Sequence, residues 1–85
     1  MRLSISGMMN FNMFGIPHVG ADICGFHSTT PMAKLDSEMC GRWIQLGSFY
    51  PFARNHYDEK STGSEPYNLD PKQIDWARKS MLDRY

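Results

Sequence analysis

Three groups of side chains in this sequence are of a kind that does chemistry. Asp22 ends the apolar approach I-P-H-V-G-A, and Arg54, Asn55 and His56 end the aromatic run S-F-Y-P-F-A. A carboxylate and an imidazole delivered by two apolar segments could open onto one site. Cys24 and Cys40 form a second group, with His27 three residues from the first cysteine. The aromatics Phe26, Trp43, Phe49, Tyr50 and Phe52 form a third, able to stack on a sugar ring, although their spacing suits a core as well.

Each group also has a plainer role. A strand-end aspartate can cap the next turn or pair with Arg54, and a lone histidine after a strand is usually an ordinary hydrogen-bonding residue. Composition alone leans to these roles. For the cysteines three arrangements stay open. A disulfide would close the loop carrying residues 27–34, with roughly 3 kcal/mol from the chain-entropy model. Two unbridged core thiols would serve as small hydrophobes. Zinc held by Cys24 and His27 is the third, although Cys40 has no partner at ligand spacing. The glycines at 15, 20 and 25 do not fit G-x-G-x-x-G, and no serine–histidine–aspartate arrangement can be specified from the order of residues.

The elements that would position these groups follow from periodicity. Ile5, Met8, Met9 and Phe14 recur near helical spacing over Ser4–Phe14, and Gly15 stands where helices end. Residues 16–21 read as a short buried strand with Pro17 near its start. Residues 27–34 read as a loop. Ser37 could cap a helix with Met39, Cys40, Trp43 and Ile44 on one face and Gly47 at its end. Residues 48–52 read as a second strand interrupted by Pro51, and residues 57–66 as a surface loop. The last helix has the clearest signals. Asp70 caps it, Pro71 takes its first position, Gln73 completes a box-like pair, and Ile74, Ala77, Met81 and Tyr85 line one face.

Helix, strand, helix, strand, helix is the order of a parallel sheet with crossover helices, where functional residues collect at the carboxyl ends of strands. Two strands alone would expose unpaired edges, so the sequence reads as a slice of a larger α/β barrel or sheet. The chain has 85 residues, and nine basic and nine acidic side chains cancel, which gives no electrostatic footprint for nucleic acid or an anionic membrane. At this length only about 60% of the unfolded surface is buried on folding. No apolar run approaches the roughly 20 residues of a membrane span. The apolar N-terminus is broken by Gly7, Asn10 and Asn12 and has no small-residue cleavage site, so it reads as part of the fold.

Read as whole phrases, N-F-N-M-F-G-I-P-H-V-G-A-D-I-C-G-F and C-G-R-W-I-Q-L-G-S-F-Y-P-F-A-R-N-H resemble the family 31 glycoside hydrolases, and in particular their α-glucosidase branch. The resemblance runs from about Gly7 to His56. It implies a fragment of a (β/α)8 TIM barrel, with residues 1–85 supplying about the last two strands and their helices. It implies a retaining enzyme that releases terminal non-reducing α-1,4-linked glucose from maltose-like chains, starch or glycogen, with no cofactor or metal. The family carries its nucleophile in a phrase like W-x-D-M-N-E and its acid/base in one like H-W-x-G-D. Neither phrase occurs here, so the chain would hold neither catalytic carboxylate and would be inactive alone.

What carries over is substrate binding. Asp22 matches the family's acid at the floor of the glucose pocket, Phe26 the aromatic lining it, and His56 the histidine that hydrogen-bonds sugar hydroxyls. Arg54 is expected to hold the strand end by ion pairing, and Glu59 to lie near the outer subsite. The family often reads R-N-H-N where Tyr57 stands here, and the stretch between the cysteines is longer than in the animal enzymes. The paired cysteines and R-N-H differ from the endoplasmic-reticulum glucosidase II branch and fit a secreted, vacuolar or lysosomal enzyme, whose signal would lie upstream. A non-catalytic truncated product, or a small disulfide-stapled sugar-binding or interaction module, is the alternative. It requires the chain to fold without the rest of the barrel.

Overall fold

The computed structural model describes residues 1–27 and 36–85, and most of the loop read at 27–34 lies outside them. Among the described residues three helices, α1 (Arg2–Met13), α2 (Ser37–Gly47) and α3 (Pro71–Arg84), account for the regular structure, with a 3₁₀ turn at Pro66–Asn68 before the last. Helix α1 stops where the sequence predicts. Gly15 adopts φ +82°, and the amides of Gly15 and Ile16 return to the carbonyls of Asn12 and Phe11 at 3.1 and 2.9 Å. Those two bonds form the helix-ending motif that glycine allows without strain.

The start of α2 differs from the reading by one residue. Asp36, not Ser37, is the cap, and its side chain accepts from the Met39 amide at 2.9 Å. The Ser37 hydroxyl instead accepts from the Asp70 amide at 2.8 Å, which ties the start of α2 to the start of α3. Asp70 does occupy the cap position of α3, with Pro71 in the first turn, but no side-chain cap bond forms there. The Gln73 amide returns to the Asp70 carbonyl at 2.9 Å, so the pair is made by backbone.

Helices α2 and α3 cross at Gly41. A methyl group there would stand 2.7 Å from Gln73 Cγ and 3.2 Å from the Trp76 ring, so the close approach requires glycine. Around that crossing Ile23, Cys40, Ile44, Tyr50, Leu69 and Ala77 form the buried core. Of the stripe predicted for α3, Ala77 is buried and Ile74 packs on the core, whereas Met81 and Tyr85 face outward. Helix α1 buries no residue. It is held at its first turn, where Tyr50 Oη lies 2.7 Å from Ser4 Oγ and accepts from Trp43 Nε1 at 3.1 Å.

The two strands expected at residues 16–21 and 48–52 do not form among the described residues. The backbone gives the reason. The amides of Ser48, Phe49 and Tyr50 are spent on the carbonyls of Ile44, Leu46 and Gly47, a continuation of α2, and Pro51 has no amide to give. Pairing is delayed to a single parallel bridge, Ile23 with Asn55. It is preceded by a bond from the Phe52 amide to the Val19 carbonyl at 3.2 Å. There Gly20 passes so near the Phe52 carbonyl that no side chain fits between them.

Candidate functional site

From that bridge the segments 22–27 and 54–58 run side by side, and three side-chain pairs cross between them. The Ile23 amide donates to the Arg54 carbonyl at 2.8 Å, and further along the Asp58 amide donates to the Phe26 carbonyl at 3.0 Å. At the first pair, Arg54 Nε donates to Asp22 Oδ1 at 2.6 Å. That charged hydrogen bond raises the Arg54 guanidinium above its ordinary range. The guanidinium also lies 5.8 Å from the centre of the Phe52 ring, against whose other contact, the His18 ring, the centroids are 5.3 Å apart. The second pair is Phe26 with His56, ring centroids 5.2 Å apart and tilted by 50°. Phe26 is half-buried and His56 exposed.

The third pair is His27 with Asp58, Nδ1 to Oδ2 at 2.9 Å. Asp58 also accepts from the Ser61 hydroxyl at 2.5 Å and from the Lys60 amide at 3.2 Å. The Ser61 hydroxyl first, and then His27, hold its carboxyl down to about 2. The carboxylate stands between serine and imidazole, so the histidine does not receive the serine proton directly. The arrangement is one that fixes chain positions rather than one that activates a nucleophile.

The turn between Asp22 and Phe26 is unusual. Cys24 has φ +73° and Gly25 φ +87°, and the Gly25 amide closes onto the Asp22 carbonyl at 3.2 Å. A left-handed cysteine costs roughly 1–2 kcal/mol relative to glycine. A disulfide to Cys40 holds it there, with Cα atoms 4.4 Å apart. Cys40 is 1% exposed and belongs to α2, so the bridge anchors the turn to the buried face of that helix. Of the arrangements open for the cysteines the structure takes the disulfide, which removes Cys24 as a zinc ligand; His27 meets Asp58 instead.

The loop beyond His56 is pinned by its own side chains. Asn55 and Ser64 exchange two bonds, Asn55 Nδ2 to the Ser64 carbonyl at 2.7 Å and Ser64 Oγ to Asn55 Oδ1 at 2.5 Å. Tyr57 Oη donates to Glu65 Oε1 at 2.7 Å, which lowers the Glu65 carboxyl and raises the Tyr57 phenol. Asp22 with Arg54, and Phe26 with His56, are therefore brought together as two pairs by the two adjacent segments. Asp58 is the member that sequence reading passed over, because its partner lies 31 residues away and a turn-rich loop carries no periodic signal.

The family model described as the glycosyl hydrolases family 31 TIM-barrel domain matches residues 1–85. A lysosomal acid alpha-glucosidase of Tetrahymena pyriformis is 42% identical over all of this chain, which spans 9% of that protein. Human intestinal sucrase-isomaltase is 52% identical, again over all of this chain and 4% of its own length. Among solved structures, a glucosidase II alpha subunit superimposes with a TM-score of 0.78 at 34% identity, covering 96% of this chain and 8% of that one.

Proposed function

The chain belongs to glycosyl hydrolase family 31, as a stretch of its TIM-barrel domain, and we propose that the protein it helps to build is a retaining, exo-acting α-glucosidase. In this reading residues 1–85 contribute the last two βα units of the barrel. They cleave terminal α-1,4-linked glucose from maltose-like chains, starch or glycogen only together with the rest of it, which supplies both carboxylates.

The observation that carries the reading is that two adjacent segments present the Asp22–Arg54 pair and the Phe26–His56 pair. Arg54 holds one oxygen of Asp22, so the side chain is fixed, and its other oxygen accepts from a sugar hydroxyl. Phe26 offers an apolar face to the pyranose ring. His56, beside it, hydrogen-bonds a hydroxyl in a contact that tightens as the ring flattens toward the oxocarbenium-like transition state. Arg54 orients Asp22 and does not touch sugar, and Glu59 stands near the outer subsite. The disulfide suits a compartment of the secretory pathway, whether lysosomal, vacuolar or extracellular.

The test begins with the coding sequence on either side of residues 1–85, which should contain a W-x-D-M-N-E-like phrase upstream. The full-length protein should then release glucose from maltose. Asp22→Asn, which takes away a charged acceptor, should lower kcat/KM by about 10- to 100-fold. An active enzyme indifferent to Asp22→Asn would place the sugar elsewhere, and a full-length protein without activity on any α-glucoside would overturn the assignment.

A further inference from the structure

Asp58 collects more bonds than the loop around it needs. The loop is already closed by the Asn55–Ser64 exchange and the Tyr57–Glu65 bond. What Asp58 adds is directed across to the other segment. Its amide reaches the Phe26 carbonyl and its carboxylate reaches His27, while Ser61 and the Lys60 amide hold that carboxylate from behind. Its side chain is 23% exposed against 75% for His27, so the aspartate is the anchored partner and the histidine the one it captures. His27 follows Phe26 directly, and Asp58 stands two residues after His56. The cross-link therefore joins the neighbours of the two rings whose centroids lie 5.2 Å apart.

We propose that Asp58 is a positioning residue that sets the separation of Phe26 and His56, and so how closely the two grip a pyranose ring. The proposal rests on the reading of those two side chains as sugar-binding. Asp58 touches no sugar itself. Without its carboxylate the loop keeps its own closures and the Asp58 amide keeps the Phe26 carbonyl, but His27 loses its tie to residue 58, and the two rings are held less firmly at their spacing. Small misplacements of binding groups weaken a fit that was optimised for one geometry.

The experiment uses the full-length protein with maltose as substrate. Asp58→Ala and His27→Ala should each raise KM by about five-fold while kcat stays within about two-fold, the pattern of lost ground-state binding at a partly exposed pair. The double variant should be no worse than either single one, since both break the same link. Asp58→Asn, which keeps an acceptor for Ser61, should recover part of the loss. A role in stability alone would lower the amount of active enzyme and the melting temperature without moving KM. If KM is unchanged in Asp58→Ala while Asp22→Asn raises it, the positioning role is wrong and the sugar site stands. If neither variant moves KM, the sugar site itself is wrong, and the positioning role falls with it.

Discussion

Consider removal of the Cys24–Cys40 bridge. It spans 16 residues, and the chain-entropy model gives such a cross-link about 3 kcal/mol. The two ends of the bridge respond differently to the choice of replacement. Cys24 is held at φ +73°, so alanine in its place keeps the backbone strain while losing the bond, whereas glycine relieves roughly 1 kcal/mol of it. Cys24→Ala/Cys40→Ala and Cys24→Gly/Cys40→Ala share the loss of the buried Cys40 sulfur, so that term cancels between them. Native-state hydrogen exchange at the Ile23 and Asp58 amides reads the outcome, because these donate to Arg54 and Phe26 on the far side of the turn. Protection should fall by about two orders of magnitude in the alanine pair, and the glycine pair should recover about five-fold of it. Equal protection in the two variants would refute the account of Cys24 as a strained residue clamped by its bridge. Undiminished protection in both would refute the bridge as the anchor of the turn.

Gly41→Ala should separate α2 from α3 and cost about 1–3 kcal/mol, because Gln73 Cγ is in the interior of a buried side chain and cannot simply swing aside; a lowered thermal midpoint checks it. Gln73→Met should be neutral or stabilising by about 1 kcal/mol, since Gln73 Oε1 is buried without a partner among the described residues and methionine fills similar volume; denaturant midpoints decide the sign. The Asp58 carboxyl should titrate at about 2, seen by carbon NMR, and Ser61→Ala should move it upward. Its folded value lies below its ordinary 3.8, so the stabilisation it lends is complete above that value and is lost as pH falls through about 2. The His27–Asp58 link thus keeps its charged acceptor throughout the range of an acidic organelle.

The parts of this fold that rest on local rules could be read from the sequence. The end of α1 at Gly15 and the start of α3 at Asp70 and Pro71 depend on residues within a few positions of one another. The strands could not be read as well, because residues 48–52 satisfy a strand's composition while their amides are claimed by the last turn of α2, a competition that propensity does not register. The capping error at α2 has a similar source. Asp36 and Ser37 both qualify, and Ser37 is drawn off to Asp70, 33 residues away. The site divides the same way. The pairing of Asp22 with Arg54 could be read from charge. The His27–Asp58 link and the choice of disulfide over zinc or free thiols depend on which distant residues meet.

Tyr50 has a use beyond holding α1. Through its hydroxyl, Trp43 is connected to the first turn of α1, and the far edge of the same indole lies 3.6 Å from where a side chain on Gly25 would begin. One fluorophore is therefore linked through Tyr50 to the N-terminal helix and lies directly against the turn that carries Asp22 and Phe26. The chain's other indole, Trp76, lies under Lys72 on α3. A Trp76→Phe protein would leave Trp43 as this region's optical reporter. Undocking of α1 would take Ser4 from the Tyr50 hydroxyl and open the Trp43–Tyr50 bond to water, reddening the emission, whereas a change confined to the turn would alter quenching at the opposite edge. Two events at opposite ends of the segment would then be separable in a single emission spectrum.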